Sequence, residues 1–250
     1  MKTLYPAIAV VFPATCLSSP AAAQTTVPPL QDEEEEASVP SELAIGGGVA
    51  LVSDYRFRGI SLSDEDFAVQ GHIDIGHSSG FYVGAWASSI EDSAVFGHTE
   101  LDLYAGYSSE LAEGVGVDVG LLYYVYPNGQ DAFGSSDYFE PYASLSYSIG
   151  PVETQVGVAY AWDQSAIGGD DNVYVFADAG LSIPNTAFSV SGHVGRSDGS
   201  LAPTGDYWDW SLGVEYATGP LTFGIAYVDT DLGDLANVDA GIVLSVGAAF

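Results

Sequence analysis

Apolar and small residues alternate along the last ten positions of the chain. Ile242, Leu244, Val246, Ala248 and Phe250 occupy every second position, and mostly small residues lie between them. This alternation is typical of a β-strand with one apolar face and one narrow face. An aromatic residue at the end of the apolar face suits a membrane interface, where aromatic side chains concentrate. The pattern predicts the closing strand of an outer-membrane β-barrel.

The same period of two recurs from Ile45 onward in segments of roughly ten residues, the length of a membrane-crossing strand. We therefore predict an all-β fold, a transmembrane antiparallel up-and-down β-barrel of about 12 strands, an even number as in bacterial single-chain barrels. The sequence does not decide which face of segments 81–89 and 138–149 points inward, because both segments carry bulky aromatic residues on both faces. The predicted strands are residues 47–58, 67–76, 81–89, 99–108, 115–126, 138–149, 152–162, 173–183, 187–196, 207–217, 221–228 and 240–250.

Short and long connections alternate between the predicted strands. Tight turns rich in Gly, Pro or Asn cover 77–80, 109–114, 150–151, 184–186 and 218–220. Longer polar loops cover 59–66, 90–98, 127–137, 163–172, 197–206 and 229–239. Short periplasmic turns opposite long extracellular loops are the asymmetry expected of an outer-membrane barrel. A soluble β-sandwich or propeller gives no reason for this segregation.

The N-terminal region differs in composition from the rest of the chain. Residues 1–23 are typical of a secretory signal peptide, with Lys2, a short apolar stretch and three alanines before Gln24. Residues 24–43 are rich in Pro and acidic residues and are predicted to form a disordered acidic arm. A solvated tail is one interpretation of the arm, and a pore-blocking or partner-binding segment is the other. The barrel then occupies residues 44–250.

The charge balance is strongly acidic, with 34 acidic residues against 4 basic ones. Beyond the predicted signal peptide the only basic residues are Arg56, Arg58 and Arg196. This balance excludes a nucleic-acid-binding surface, which needs clustered Lys and Arg. The single cysteine, Cys16, lies in the predicted signal peptide, so we expect no disulfide framework in the barrel.

Charged residues share one face of the predicted strands. On the lipid face a charge costs about 2–4 kcal/mol at mid-membrane, and less for an acid, so the polar face is predicted to point inward. A water-filled lumen would screen so many carboxylates; an interior filled by hydrogen-bonded side chains is the alternative. The predicted pore-lining residues are Asp54, Arg56, Arg58, Asp74, Glu100, Asp102, Asp118, Glu140, Glu153, Asp178, Asp209 and Glu215.

Residues 53–64, SDYRFRGISLSD, resemble the segment that opens the barrel of the TorF-type porins. Further similar segments are 80–88 (GFYVGAWAS), 100–107 (ELDLYAGY) and 124–127 (YVYP). The resemblance extends from about Val49 to the C-terminus, essentially the whole predicted barrel. It implies an outer-membrane barrel that acts as a pore, and it implies no particular substrate and no catalytic residue.

The two arginines near the start of the barrel are two residues apart, which predicts that Arg56 and Arg58 share one face of the first strand near its outer rim. One interpretation is a constriction in which they face the carboxylates and a transverse field selects ions by charge. The other is a lumenal ion-pair network that pins the first strand. The sequence leaves both open.

Acidic clusters in the predicted loops raise the question of calcium. Asp229, Asp231 and Asp234 supply oxygen ligands of the kind that Ca2+ prefers. The segment lacks the 12-residue loop with its closing Glu. We therefore predict no firm metal site, with these three residues as the nearest candidates, and no cofactor.

A hydrolase is the one enzyme class that residues of the sequence suggest. Ser189, Ser191 and His193 share one face of a predicted strand, and a serine beside a histidine can act as a nucleophile. Neither a G-x-S-x-G nor an H-E-x-x-H motif is present. Alternating serine and histidine are also typical of a polar barrel interior, so we predict that the protein is not an enzyme.

These features together predict a Gram-negative outer-membrane porin, a narrow passive diffusion channel for small solutes, with a cation preference set by its lumenal carboxylates. The alternatives are a closed structural or adhesion barrel with cation-binding acidic loops, and an outer-membrane hydrolase. The expected partners are outer-membrane lipid, lipopolysaccharide, small solutes or cations, and the barrel-assembly machinery, which would engage the strand that ends at Phe250. We expect a monomer.

Overall fold

A computed structural model of the chain describes residues 42–130, 134–233 and 235–250. The predicted signal peptide (1–23) and all but the end of the predicted arm (24–43) lie outside these residues. Among the described residues, no helix is long and apolar enough to cross a membrane. The strands are β1 Leu43–Val52, β2 Arg56–Phe57, β3 Ile60–Ser61, β4 Ala68–His77, β5 Phe81–Ser93, β6 Gly97–Ala112, β7 Val115–Val125, β8 Tyr138–Ile149, β9 Val152–Ala161, β10 Asn172–Ser182, β11 Phe188–Gly199, β12 Asp206–Thr218, β13 Leu221–Thr230 and β14 Gly241–Ala249.

All of these strands except β2 and β3 form one closed antiparallel barrel of 12 strands. Each barrel strand pairs with the next along the chain, and β1 pairs with both β4 and β14. At the closing seam Leu51 lies opposite Val246, and Val49 lies opposite Ala248. The prediction of a 12-stranded up-and-down barrel is confirmed.

The two faces of the wall follow the alternation in the sequence. In β14, Ile242 and Leu244 are exposed on the outside, whereas Val243 between them is buried. In β6, Leu103 is exposed on the outside, whereas Asp102 is buried in the interior. Successive side chains of a strand point to opposite faces, so one apolar set covers the outside of the barrel and one polar set faces the interior.

The sequence did not decide which face of strands β5 and β8 points inward, and the structure places most of their polar aromatic residues inside. Tyr82 and Trp86 of β5 are buried in the interior, and Phe81 is exposed on the outside. In β8, Tyr138 is buried and Phe139 is exposed. The backbone pairings with β4, β7 and their other neighbours set these registers, which the local pattern alone could not.

The connections differ in length at the two ends of the barrel. We call the ends the turn end, where residues 78–80, 113–114, 150–151, 183–187 and 219–220 connect strands, and the long-loop end. The predicted loop at 90–98 is an exception, because β5 extends to Ser93 and β6 begins at Gly97. A register shift between Ser89 and Ser93 accommodates the longer hairpin. The predicted loop there was too long because small and polar residues also suit a strand that projects beyond the membrane.

Candidate functional site

Residues 53–67, which we call the inner loop, leave the wall at the long-loop end and fold into the lumen. The wall strand β1 ends at Val52, so the prediction of one strand through 47–58 is wrong. Arg56 and Arg58 lie on the inner loop and not on the wall as predicted. Strands β2 and β3 form a small hairpin within this loop.

The carboxylate of Asp54 bends the chain away from the wall. It accepts hydrogen bonds from Arg56 Nε at 2.6 Å and from Ser61 Oγ at 2.6 Å, so it ties both arms of the hairpin together. The Tyr55 backbone N–H donates to Ser63 Oγ at 2.9 Å. These short-range side-chain bonds offer the backbone an alternative to the sheet, as Asp and Ser do in turns. Asp54 was predicted on a strand and lies in this turn network instead.

The hairpin turns on Arg58 and Gly59, whose φ angles are 48° and 84°. Two central residues with positive φ are what a two-residue type I′ turn requires. Glycine takes this conformation without cost, whereas arginine does so only when its surroundings hold it there. A Cβ at Gly59 would also collide with the side chain of Thr230 on β13, so the turn lies directly against that strand.

The inner loop crosses the lumen from one side to the other. The Tyr55 hydroxyl donates to Glu100 Oε1 on β6 at 3.3 Å, and the Tyr207 hydroxyl on β12 donates to the Arg58 carbonyl at 3.0 Å. Strands β6 and β12 lie on opposite sides of the 12-strand ring. The loop therefore obstructs the long-loop half of the lumen.

Arg58 occupies a built cation site on the wall. Its Nη2 donates to both carboxylate oxygens of Glu140, at 2.8 and 2.7 Å, and Tyr124 donates to the same carboxylate at 3.1 Å. The guanidinium carbon lies 4.1 Å from the ring centroid of Tyr174 and 4.7 Å from that of Phe57. Burial lowers the pKa of Arg58, but the charge and hydrogen bond of Glu140, together with Tyr124 and Tyr138, outweigh this, so the pKa is raised above its ordinary value.

Two more carboxylates are buried near this ion pair. Glu100 and Asp102 on β6 are 0% and 1% exposed, and the charges of Glu100 and Glu140 both act on Asp102. Oε2 of Glu100 and Oδ1 of Asp102 have no hydrogen-bond partner among the described residues. Burying carboxylates without partners costs free energy unless a proton, a cation or water neutralises them. The long-loop half thus holds more carboxylates than Arg58 can neutralise.

Tyrosine hydroxyls donate to the carboxylates lower in the lumen on the β4 to β8 side, although Oδ2 of Asp118 has no hydrogen-bond partner among the described residues. Tyr104 donates to Asp74, and Tyr82 donates to Asp118 at 2.6 Å. The Tyr82 and Tyr142 hydroxyls are also hydrogen-bonded to each other. These large side chains fill their side of the interior and keep its carboxylates out of open solvent.

His193 lies between two carboxylates in the middle of the lumen. Its Nδ1 is 2.6 Å from Asp178, and its Nε2 is 3.1 Å from Asp209 and 2.8 Å from the Tyr174 hydroxyl. Both ring nitrogens are therefore occupied, and neither is free to take a proton from Ser191. The geometry favours a structural hydrogen-bond network over the serine–histidine pair that a hydrolase would need.

Carboxylates at the turn end remain accessible to solvent. Glu153 is exposed, Glu215 is half-buried, and the Asp178 side chain is 34% exposed. The inward positions around Glu215 are small, including Gly213 and Gly224 on β12 and β13. The turn-end half is therefore roomier on its β11 to β14 side than beside the tyrosines.

The predicted pore-lining residues all point into the barrel interior, although they arrive there by two routes. Strand alternation directs the wall residues inward, and the inner loop carries the remaining three. That they line a water-filled path stays a prediction. The wall residues are Asp74, Glu100, Asp102, Asp118, Glu140, Glu153, Asp178, Asp209 and Glu215, and the inner-loop residues are Asp54, Arg56 and Arg58.

Sequence reasoning did not select the tyrosines that partner these acids. Tyr104 has the same parity as Asp102, and Tyr174 has the same parity as Asp178, so strand alternation alone could have placed them in the lumen. Tyr82 and Tyr142 lie on β5 and β8, where the pattern left the facing open. For those two residues only the strand pairing supplies the signal.

The calcium candidates have other partners. Asp229 accepts a hydrogen bond from the Tyr227 hydroxyl at 2.6 Å, and Asp231 accepts one from the Trp208 backbone N–H at 2.7 Å. Asp234 lies outside the described residues. Within the part of the chain that the structure describes, no group of three or more His, Cys, Asp or Glu side chains is arranged to hold a metal ion. A calcium site here stays a prediction that these contacts do not strengthen.

The barrel is similar to solved porin structures. It superimposes on the NanC porin with a TM-score of 0.57 at 14% sequence identity, covering 83% of this chain and 99% of that one. It superimposes on the KdgM porin, solved in complex with disordered oligogalacturonate, with a TM-score of 0.55 at 7% identity, covering 82% and 98%. Identities this low show a shared fold alone. No curated protein matches the sequence significantly.

A sequence family covers most of the chain. The model of a family described as a bacterial protein of unknown function, Gcw_chp, matches residues 34–247. The match spans the whole described barrel except its last residues. This family match does not identify the chain as a TorF-type porin, and that resemblance stays a prediction. The chain belongs to the Gcw_chp family.

Proposed function

We propose that this protein is a porin of the Gram-negative outer membrane, through which small solutes diffuse passively with a preference for cations. One observation carries the proposal, a closed membrane-type barrel whose interior is lined by carboxylates. Glu153, Asp178 and Glu215 remain accessible to solvent in the turn-end half. Barrels of 8 strands are nearly filled by side chains and those of 16 hold a channel, so a barrel of this size suits a narrow one.

The proposed selectivity is electrostatic. Carboxylates within a low-dielectric wall raise the local concentration of cations and repel anions. The two lumenal arginines do not offset this field, because Arg56 pairs with Asp54 and Arg58 pairs with Glu140. Salt screens charges beyond about 8 Å at physiological ionic strength. The cation preference should therefore weaken as the salt concentration rises.

This acidic lumen argues against an anionic solute. The KdgM porin was solved with oligogalacturonate, a chain of sugar carboxylates. The same polyanion would meet repulsion from the accessible carboxylates Glu153, Asp178 and Glu215 here. The shared barrel fold therefore does not extend to a shared solute.

The narrow bore is proposed from what fills the lumen. The inner loop crosses the long-loop half from β6 to β12, and tyrosines fill one side of the turn-end half. Under the proposed orientation the long-loop end faces the cell exterior and the turn end faces the periplasm. Solutes would then pass the inner loop first.

The outer surface supports the proposed membrane location. Ile45, Val49, Ile242 and Leu244 are exposed on the outside of the barrel, where they would contact lipid and the lipid portion of lipopolysaccharide. Phe250 is 83% exposed beyond the end of β14, as a recognition signal for the assembly machinery would be. Export would depend on cleavage of the proposed signal peptide at residues 1–23. We propose a monomer in the membrane.

A closed structural barrel is the second candidate, and the inner loop is the observation that favours it. Its contacts with opposite walls obstruct the long-loop half, as a permanent plug would. The hydrolase alternative has less support, because both nitrogens of His193 are already hydrogen-bonded. Replacing Ser191 or His193 by Ala would abolish hydrolysis but leave the conductance of a pore nearly unchanged.

The test is conductance in planar lipid bilayers. The full chain is expressed, the protein is purified from the outer membrane, and single-channel currents and the reversal potential are measured in a KCl gradient. Discrete steps with a cation-selective reversal potential that shrinks at high salt are expected. An anion-selective potential would mean that Arg56 and Arg58 control the constriction. Silence from a demonstrably folded barrel would support the closed structural barrel.

A further inference from the structure

The site that holds Arg58 has the chemistry of a receptor for organic cations. On the wall it consists of the Glu140 carboxylate, oriented by the Tyr124 hydroxyl at 3.1 Å, and the face of the Tyr174 ring. A carboxylate beside an aromatic face is the combination that binds guanidinium and ammonium groups. The side chains of Arg58 and Glu140 are only 3% and 2% exposed, so the site is shielded from competing water.

Arg58 does not saturate this site. Its Nη1 has no hydrogen-bond partner, and neither do Oε2 of Glu100 and Oδ1 of Asp102 among the described residues. Glu100 and Asp102 are almost completely buried, so these free oxygens lie within the protein rather than in bulk solvent. The surplus of acceptors indicates that the region suits a cation better placed, or more highly charged, than the one it holds.

The turn that carries Arg58 is strained and lies outside the barrel sheet. Arg58 adopts a positive φ of 48°, a left-handed conformation that is sterically unfavourable for a residue with a Cβ. The hairpin of β2 and β3 is joined to no barrel strand by a sheet ladder. Strain held by surrounding contacts is characteristic of segments that switch between states. A competing ligand would need to replace the side-chain contacts of Arg58, and movement of the loop would also break the backbone hydrogen bonds that join Ser61 to Asn237 and Glu91 to Leu62.

We propose that the wall pocket of Glu140, Tyr124 and Tyr174 binds the guanidinium or ammonium group of a small organic cation, and that Arg58 is its intramolecular occupant. The solute displaces Arg58, the inner loop moves aside, and the lumen opens more fully than it does in KCl alone. This inference rests on the proposed cation-preferring channel, for which it names the solute class. It also reconciles an obstructed lumen with conduction.

The test uses two matched small molecules and a binding readout that does not depend on conduction. L-arginine and L-citrulline have the same length and differ in a guanidinium against a neutral urea group. Each is titrated by calorimetry into the full-chain protein purified in detergent, as wild type, Arg58→Ala and Arg196→Ala. Arg196 is the control, because it pairs with Asp206 and Asp198 at the long-loop end, outside the pocket.

Arginine should bind Arg58→Ala at least about tenfold more tightly than wild type. In wild type Arg58 occupies the site, so only the small fraction of molecules with an empty site can bind, and the apparent affinity falls in proportion to that fraction. Arg196→Ala should behave as wild type, and citrulline should bind none of them. Adding Glu140→Gln to Arg58→Ala should weaken arginine binding by about tenfold, the effect of losing one charge-assisted hydrogen bond. If Arg58→Ala does not fold, as judged by its gel mobility before and after heating, Arg58→Gln takes its place.

The outcomes separate this inference from the proposed function. Equal arginine affinity for the Arg58 and Arg196 variants, or equal binding of citrulline, would overturn the pocket while leaving a conducting channel intact. Tight arginine binding in a barrel that never conducts would keep the pocket and overturn the porin. Interruptions of the Arg58→Ala current by arginine and not by citrulline would support both.

Discussion

Several buried carboxylates of the lumen depend on a polar group from another strand or from the inner loop. Glu140 depends on Arg58, and Asp118 depends on Tyr82. An ionised carboxylate in a dry interior needs such a partner, and its loss leaves an uncompensated charge. Individual residues of the interior should therefore affect stability more than their position on a membrane barrel would suggest.

The Arg58–Glu140 pair provides a residue-scale prediction. Glu140→Ala should lower the free energy of unfolding by about 3–5 kcal/mol, the cost of leaving one charge of a buried pair alone. Urea unfolding in detergent micelles, followed by tryptophan fluorescence, measures the change. Glu113→Ala, on an exposed turn, is the control. Equal stability of the two variants would show that the pair contributes nothing.

The close approach of Tyr174 to Gly195 provides a second residue-scale prediction. A Cβ at Gly195 would collide with the Tyr174 ring, whereas nothing lies within 4 Å of a Cβ at Gly180. Gly195→Ala should displace the ring and cost about 1–3 kcal/mol of stability, as overpacking does. Gly180→Ala should cost much less. Unfolding free energies of the two variants decide the matter, and equal losses would contradict the proposed packing.

At the scale of elements, the inner loop is the segment that enters the lumen of an otherwise regular barrel. The 12 wall strands follow one rule of alternation, but the inner loop is held by side chains from several strands that point into the lumen. It combines a turn of positive φ with a tight fit against β13 at Gly59. Changes in this loop should alter passage without disturbing the wall.

Gly59→Ala should open the channel more often or more widely than wild type. Its Cβ would collide with Thr230, and the added strain at a φ of 84° would loosen the loop from the wall. Gly233→Ala has a comparable φ of 69° but nothing within 4 Å, so it controls for backbone strain. Single-channel recordings should show larger or more frequent steps for Gly59→Ala alone. Identical recordings for both would show that the fit at Gly59 does not hold the loop.

At the scale of the whole molecule, the lumenal carboxylates form two groups, one buried and one accessible to solvent. In the long-loop half Glu100, Asp102 and Glu140 are buried beneath the inner loop. In the turn-end half Glu153 and Glu215 remain accessible. Only accessible charges exert their field directly on solutes in water, so the turn-end carboxylates should dominate selectivity while the inner loop obstructs the other half.

Neutralising the accessible carboxylates of the turn-end half should reduce the cation preference. The double variant Glu153→Gln and Glu215→Gln should bring the reversal potential in a KCl gradient closer to zero, because it removes two lumenal charges. The matched control is Glu42→Gln with Glu113→Gln, since both lie exposed at the turn end outside the barrel strands. The same shift in the control would mean that surface charge, and not the lumen, sets selectivity.

The barrel wall was predictable to within a few residues at most of its strand ends, and the interior only in part. The alternation in β14 assigned Ile242 and Leu244 to the outer face, and the alternation in β6 assigned Asp102 to the interior, as observed. The prediction failed at 53–58, where an alternating segment turned out to be a loop. The alternating pattern of a strand was present there. The hydrogen bonds of Asp54 and the positive-φ turn at Arg58 nevertheless favour a loop over a strand.

The sequence by itself determined the 12-stranded barrel, the outward apolar faces and the set of acids that point inward. These follow from a period of two and from connection lengths, both local properties of the chain. Only the tertiary structure decided which acids are sealed, which remain accessible, and where Arg58 lies. Those outcomes depend on contacts between distant residues, such as Arg58 with Glu140, 82 positions away, and with Tyr207, 149 positions away. No local pattern encodes such pairings, because closing the ring brings them together.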